Sequence, residues 1–162
     1  CADLSLAPSR AGRGLRVDNR QCLDSSTKEP CMTYIAGQVL PPFVVTRVDP
    51  EAMKEWAVFL EDPNPIHIDV AAERAKGLGH RVINQGPINV AYMMNALLRA
   101  FPGSRIKSMS TRFLDNVYGE EKVIATPRID AVAAGHITCS ISLESAERGL
   151  VCSADAVMIT SP

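Results

Sequence analysis

The stretch GPINVAYMMNALLRAFPG, residues 86–103, decides how this chain folds. It begins with Gly86-Pro87 and ends with Pro102-Gly103, and its interior is apolar almost all the way round. Proline is tolerated in the first turn of a helix but not inside it, so the two pairs predict the ends of one helix. A helix with so small a polar face is stable only when other elements wrap it. We therefore expect this segment to be the core helix of the domain.

The segments that follow the core helix have the patterns of strands. HITCSISLE, residues 136–144, alternates between apolar and polar side chains, which predicts a strand with one dry face and one wet face. Three neighbouring segments also favour strands: 105–114, 122–132 and 150–159. Helices followed by a run of antiparallel strands indicate an α+β fold in which the sheet packs on the core helix.

The part that precedes the core helix combines short strands with short helices. We expect extended pieces at 34–40 and 43–46, separated by two prolines that cannot both sit in a central strand. Residues 49–60 predict a helix that is capped by Asp49. Its apolar stripe is predicted to be Ala52, Trp56, Phe59 and Leu60. Asp69 is predicted to cap a second, shorter helix.

Composition narrows the possible partners and the compartment. The formal net charge of -1 gives no electrostatic reason to expect nucleic acid or an anionic membrane. No apolar stretch approaches the roughly 20 residues of a membrane span. The five cysteines show no CxxC pair and no zinc spacing, so we expect no metal site and a reducing, cytoplasmic location. These cysteines are Cys1, Cys22, Cys31, Cys139 and Cys152. The last two are predicted to be small buried thiols.

The length of 162 residues is that of one domain. Residues 1–31 are rich in Arg, Ser, Gly and Pro and follow neither a strand period nor a helix period, so we expect a poorly ordered N-terminal extension. Met32 begins a more globular sequence and is an alternative natural start. Residues 32–162 are predicted to form a single domain.

EDPNPIHID, residues 61–69, places an acid and an imidazole around two prolines. Taken alone, Asp62 is best explained as a turn former and His67 as a structural histidine. A turn needs neither the histidine nor this spacing, so together they favour a general-base site. The prolines stiffen the loop and push the preceding residues to extended geometry, which would hold the two groups in register.

The same motif carries a resemblance to a known family. DPNPIHID, INQGPINVAYMMNALL and STRFLDNVYGEE resemble the MaoC-like dehydratases, the (R)-specific enoyl-CoA hydratases, whose signature is D-x-N-P-[IL]-H-x-[DE]. The resemblance covers the chain from about Tyr34 to Ile159. It implies the hot-dog fold, a curled antiparallel sheet around one long helix, and assembly as a homodimer or higher homo-oligomer.

The resemblance also implies roles for individual residues. Asp62 would be the general base, and His67 would orient the water and move protons. The backbone N–H of Gly86, at the start of the core helix, would bind the thioester oxygen. Neither a metal nor a redox cofactor is implied, and the substrate would be an acyl-CoA or an acyl-carrier-protein thioester. Three further residues are predicted to bind substrate or brace the site: Asn64, which we expect to brace the loop, Gln85, and Met93, for which a core position is favoured.

Two departures from the family pattern keep other functions open. The family often has Gly where this chain has Glu61, and His-Gly where it has Gln85-Gly86. The leading hypothesis is reversible, (R)-specific hydration of a trans-2-enoyl thioester. A hot-dog thioesterase is the first alternative, because one fold hosts both chemistries. A non-catalytic acyl-thioester-binding subunit is the second.

Overall fold

A computed structural model describes residues 33–77 and 79–160. The extension predicted at 1–31 lies outside the described residues. The helices are α1 (Pro50–Phe59), α2 (Val70–Ala75) and α3 (Gly86–Ala100), with one 3-10 turn at Pro65–His67. The strands are β1 (Phe43–Val45), β2 (Arg105–Phe113), β3 (Val123–Ala133), β4 (His136–Ser145) and β5 (Gly149–Ile159).

The five strands form one antiparallel sheet in the order β1-β3-β4-β5-β2. β3, β4 and β5 make the long meander that the alternating sequence predicts. β2 lies at one edge, where β5 is its neighbour. The short β1 lies at the other edge, beside β3. The predicted α+β architecture is therefore confirmed for the described part of the chain.

Helix α3 packs on this sheet as the sequence predicts. Its side chains Met93 and Leu97 are fully buried, and Phe101 directly after it is fully buried too. They join one core cluster with the inward residues of β3, β4 and β5. Cys139 and Cys152 belong to this cluster, and burial raises the pKa of each thiol to about 11. Both are buried thiols, as expected from the alternating pattern.

The apolar stripe predicted for α1 is wrong in its direction. The helix buries Met53 and Ala57, whereas Trp56 and Phe59 are 40% and 75% exposed. The two exposed rings contact each other edge to face, with centroids 5.4 Å apart. Both faces of α1 carry apolar residues at helical spacing, so periodicity alone could not choose between them. The structure places the smaller pair of side chains inward.

A buried carboxylate connects the turn before β5 with the segment between β2 and β3. The Glu121 side chain is fully buried and accepts from Arg148 Nε at 3.0 Å and from the second terminal nitrogen of Arg148 at 3.1 Å. Arg81 approaches the same carboxylate at 3.3 Å. Both guanidinium groups lie over the ring of Tyr118, at 4.8 and 5.5 Å from its centroid. Arg81 immediately precedes the segment that supports the candidate site.

Within the described ranges, no helix is long and apolar enough to cross a membrane.

Candidate active site

The predicted catalytic loop begins at a tight C-terminal cap on α1. The N–H of Leu60 donates to Trp56 O, and the N–H of Asp62 donates to Ala57 O at 2.9 Å. Between them, Glu61 has φ of 51°, in the left-handed region that favours glycine. Glu61 therefore adopts this backbone at a cost in strain.

Two consecutive side-chain turns shape the loop. Asp62 Oδ1 accepts from the N–H of Asn64 at 3.4 Å, and Asn64 Oδ1 accepts from the N–H of Ile66 at 3.4 Å. Asn64 thereby caps the 3-10 turn Pro65–His67, a contact that fits the bracing role expected for it. The turn-forming role considered for Asp62 is also present, but it uses one carboxylate oxygen and leaves the other available.

The second oxygen of Asp62 faces the imidazole. Asp62 Oδ2 lies 3.4 Å from His67 Nε2. The His67 residue is only 7% exposed, while the Asp62 side chain is 42% exposed. His67 Nδ1 lies 2.6 Å from the carbonyl oxygen of Ile83. A carbonyl can only accept, so Nδ1 carries the proton, and in the neutral ring Nε2 is an acceptor.

The Ile83 carbonyl is held from both sides. The N–H of Ile83 donates to Ile66 O at 3.0 Å, which joins this segment to the loop that carries Asp62 and His67. On the other side, Asn84 N–H donates to Val117 O at 2.7 Å, and Gly119 N–H donates to Val82 O at 2.8 Å. Sequence reasoning missed Ile83 because any residue type can supply a backbone carbonyl. No side-chain signal could have identified it.

Gly86 begins α3, as predicted, and its N–H is the first-turn donor that finds no partner among the described residues. Pro87 has no N–H, and the N–H groups of Ile88 and Asn89 donate to Gln85 O. Gly86 follows Ile83 by three residues, so their Cα atoms are no more than roughly 11 Å apart. The donor therefore stands three residues after the carbonyl that holds His67, at a helix end that favours negative charge.

An aromatic ring that the sequence did not single out lies against Gly86. A Cβ added at Gly86 would be 3.4 Å from the tip of the Phe113 ring. Phe113 ends β2 and is 56% exposed. The contact places an exposed aromatic surface beside the candidate oxyanion donor. In the sequence, only the position of Phe113 at the end of a predicted strand pointed to this contact.

The remaining predicted site residues are buried. Gln85 is fully buried, and its Nε2 donates to Met53 O at 2.8 Å. It therefore contacts protein rather than solvent. Met93 has no exposed surface and lies in the core cluster, which is the core position favoured from the sequence.

A surface groove of about 600 Å³ flanks the loop on the α1 side. Its lining is mostly apolar and comprises Lys54, Ala57, Val58, Glu61, Pro63 and Ile68. Two of these residues are the direct neighbours of Asp62. Among the residues that the structure describes, no group of three or more His, Cys, Asp or Glu side chains could hold a metal ion.

Comparison with known proteins identifies the fold. No protein-family profile and no curated protein sequence matches the chain. Solved structures do match. An (R)-hydratase from A. caviae involved in PHA biosynthesis superimposes with a TM-score of 0.73 at 20% identity, over 80% of this chain and 98% of the hydratase.

Two further structures agree with it. A MaoC-like dehydratase from Rhodospirillum rubrum superimposes with a TM-score of 0.65 at 17% identity, over 80% of this chain and 95% of that one. The ChsH1-ChsH2 complex from Mycobacterium tuberculosis gives 0.70 at 20% identity, over 78% and 98%. The chain therefore has the hot-dog fold of these proteins, as its sequence predicted.

Proposed function

We propose that this protein catalyses the reversible, (R)-specific hydration of a trans-2-enoyl thioester to a 3-hydroxyacyl thioester. The observation that carries the proposal is the pairing of Asp62 Oδ2 and His67 Nε2 at 3.4 Å, with the other nitrogen of His67 donating to Ile83 O. The (R) outcome rests on the likeness to an (R)-hydratase. Water addition is redox-neutral overall, so the proposed reaction calls for no redox cofactor.

The paired groups suit the activation of water. A carboxylate and a neutral Nε2 are both acceptors, so one water can donate an O–H to each. Its lone pairs then point away from the pair, toward an incoming Cβ. As the oxygen attacks Cβ, Asp62 takes a proton as general base, and the pair returns a proton to Cα. The buried ring of His67 holds the geometry because Ile83 fixes its tautomer and orientation.

Attack at Cβ shifts negative charge onto the thioester oxygen. In the proposed reaction this oxygen lies at the N–H of Gly86, where the start of α3 supplies a free donor and a favourable dipole. The exposed ring of Phe113 beside Gly86 would cover the thioester from one side. The apolar groove next to Asp62 offers a surface for the acyl chain. The thiol carrier is coenzyme A or an acyl carrier protein.

We also propose that the protein works as a homodimer or higher homo-oligomer. The outer edge of β2 leaves backbone groups without a partner strand among the described residues, which invites pairing with another chain. Helix α3 leaves Met94 and Leu98 about two-fifths exposed. A second copy that covers these features would complete the surroundings of Phe113. One structural neighbour is itself a complex of two proteins.

The decisive experiment follows the loss of enoyl-thioester absorbance with crotonyl-CoA, together with chiral analysis of the product. We expect (R)-3-hydroxybutyryl-CoA. Asp62→Asn should lower the rate on the order of 10²-fold or more, because the base is lost while the amide can still form the turn. Asp69→Asn is the matched control. Asp69 Oδ1 caps α2 through Ala71 N–H at 2.8 Å, and asparagine caps equally well, so its rate should not change.

Other outcomes assign other functions. Free coenzyme A without hydroxyacyl product would replace the hydratase with a thioesterase. No turnover with crotonyl-CoA or with longer, branched and carrier-bound enoyl thioesters would leave the acyl-binding subunit. A rate in Asp62→Asn equal to that in Asp69→Asn would remove the base role from Asp62.

A further inference from the structure

A fully buried glutamine stands directly before the candidate oxyanion donor. Gln85 Nε2 donates to Met53 O at 2.8 Å, across 32 residues of sequence. Its Oε1 is buried and has no hydrogen-bond partner among the described residues. Burying an amide with one end unsatisfied costs stability, which an apolar side chain at this position would avoid. Packing alone therefore does not explain why a glutamine occupies this position.

The bond connects the two halves of the candidate site. Met53 lies inside α1, and the end of this helix holds the backbone of Asp62 through the Asp62–Ala57 hydrogen bond. On the other side, Gln85 is the N-cap of α3, and the next residue is Gly86. Any shift of α1 against α3 would change the separation between the base and the N–H donor.

The Gln85 side chain forms this bond instead of capping its own helix. It makes no side-chain cap hydrogen bond at the start of α3. Its backbone carbonyl accepts from the N–H groups of Ile88 and Asn89. The carboxamide is therefore available to hydrogen-bond to α1, and the Gly86 N–H stays available to bind the thioester oxygen of the proposed substrate.

We propose that Gln85 is a positioning residue that sets the distance between Asp62 and Gly86. The inference rests on the proposed function, since both groups must meet one substrate at the same time. Misplacement by about 1 Å is enough to cost on the order of 10²-fold in rate. Gln85 touches neither water nor thioester and acts only through α1 and α3.

Gln85→Glu tests this with a pH readout. A protonated carboxyl can still donate to Met53 O, whereas a carboxylate cannot and is repelled by the carbonyl oxygen. Burial raises the pKa of such a carboxyl, so the bond is present at low pH and lost as pH rises through that pKa. We expect kcat relative to wild type to fall on the order of 10-fold or more at high pH and to recover toward low pH, with KM little changed.

Two variants serve as controls. Gln85→Met removes the donor at every pH, so its kcat should be low throughout, with no recovery at acidic pH. Gln38→Glu changes an exposed glutamine whose Oε1 accepts from Ile35 N–H, and the carboxylate can accept in the same way. Its ratio to wild type should be flat with pH. Melting temperatures separate a loss of folding from a loss of rate.

A flat ratio for Gln85→Glu, or a loss of kcat that simply follows unfolding, would overturn the proposal. Amide resonances provide a readout independent of turnover. The N–H signals of Gly86 and Asp62 should titrate together in Gln85→Glu, with the midpoint of the introduced carboxyl. If only the neighbouring Gly86 signal moves, the coupling does not exist. The wild-type protein could fail to hydrate any enoyl thioester while both N–H signals still titrate in Gln85→Glu. In that case the proposed function fails, but the coupling of α1 to α3 through Gln85 stands.

Discussion

At the scale of single residues, the candidate site uses backbone atoms as much as side chains. Asp62 and His67 are readable from the motif, and the structure brings them together. The group that fixes the histidine is the carbonyl of Ile83, and the candidate oxyanion donor is the N–H of Gly86. Backbone groups carry no sequence signature of their own. They can be assigned only through the fold that presents them.

Gly86→Ala separates a functional glycine from a structural one. Gly86 does not have a positive φ, and the added methyl would contact the Phe113 ring at the ordinary distance of 3.4 Å. Folding stability should therefore be unchanged or higher by up to about 1 kcal/mol, because alanine restricts the unfolded chain. Hydration should nevertheless fall on the order of 10²-fold, because the methyl occupies space beside the N–H that is proposed to bind the oxyanion. Thermal unfolding and steady-state kinetics measure the two effects.

Gly119→Ala provides the contrast. Its added Cβ would lie 3.0 Å from side-chain carbons of Pro50 and Val82 in the packed interior. We expect it to lower the melting temperature, which Gly86→Ala should not do. A Gly86→Ala protein with wild-type kcat would show that the oxygen does not approach this N–H.

At the scale of elements, amphipathic pattern was informative only where one face is apolar. The alternation in β4 was predicted correctly because it leaves one possible orientation. α1 offered two apolar faces, and the sequence prediction chose the wrong one. Trp56 and Phe59 lie on the exposed face, and Met53 and Ala57 lie on the buried one. Pattern gives the identity of an element more reliably than its rotation.

The exposed apolar stripe of α3, which consists of Met94 and Leu98, leads to a prediction about assembly. If a second copy covers it, light scattering should give twice the mass of one chain at micromolar concentration. Leu98→Glu places a charge on this stripe and should shift the mass toward one chain, since a buried unpaired charge is unfavourable. Val58→Glu is the matched control, because Val58 is 80% exposed on α1. A single-chain mass for wild type, or equal dissociation in both variants, would contradict assembly through α3.

At the scale of the whole molecule, a buried ion network joins distant parts of the chain. Glu121 receives Arg148 from the turn before β5 and Arg81 from the segment leading to Ile83. Val48 N–H also donates to Glu121 O at 2.8 Å, which brings in the chain before α1. A carboxylate that is fully buried is tolerated only when it is paired in this way. The network thus supports the segment that holds His67.

Arg148→Met should destabilise the protein by about 3 kcal/mol, because it removes the arginine that binds both oxygens of a buried carboxylate. Chemical denaturation measures this change. Arg47→Met is the control, since Arg47 and Glu120 form an exposed ion pair whose loss should have no measurable effect. The double variant Arg148→Met with Glu121→Leu should recover part of the lost stability. Equal effects of the two single variants would show that Glu121 needs no buried partner.

Local sequence pattern was enough to predict the α+β architecture, the core helix, the meander and the pairing of Asp62 with His67. These follow from local pattern: turn residues, apolar periodicity and a spaced motif are written in consecutive positions. Four features emerge only in the folded domain: the rotation of α1, the carbonyl that orients His67, the ring beside Gly86 and the bond from Gln85 to Met53. Each of these depends on which residues meet across long stretches of chain. These long-range contacts are set by the packing of the whole domain. No single segment of the sequence contains the information that specifies them.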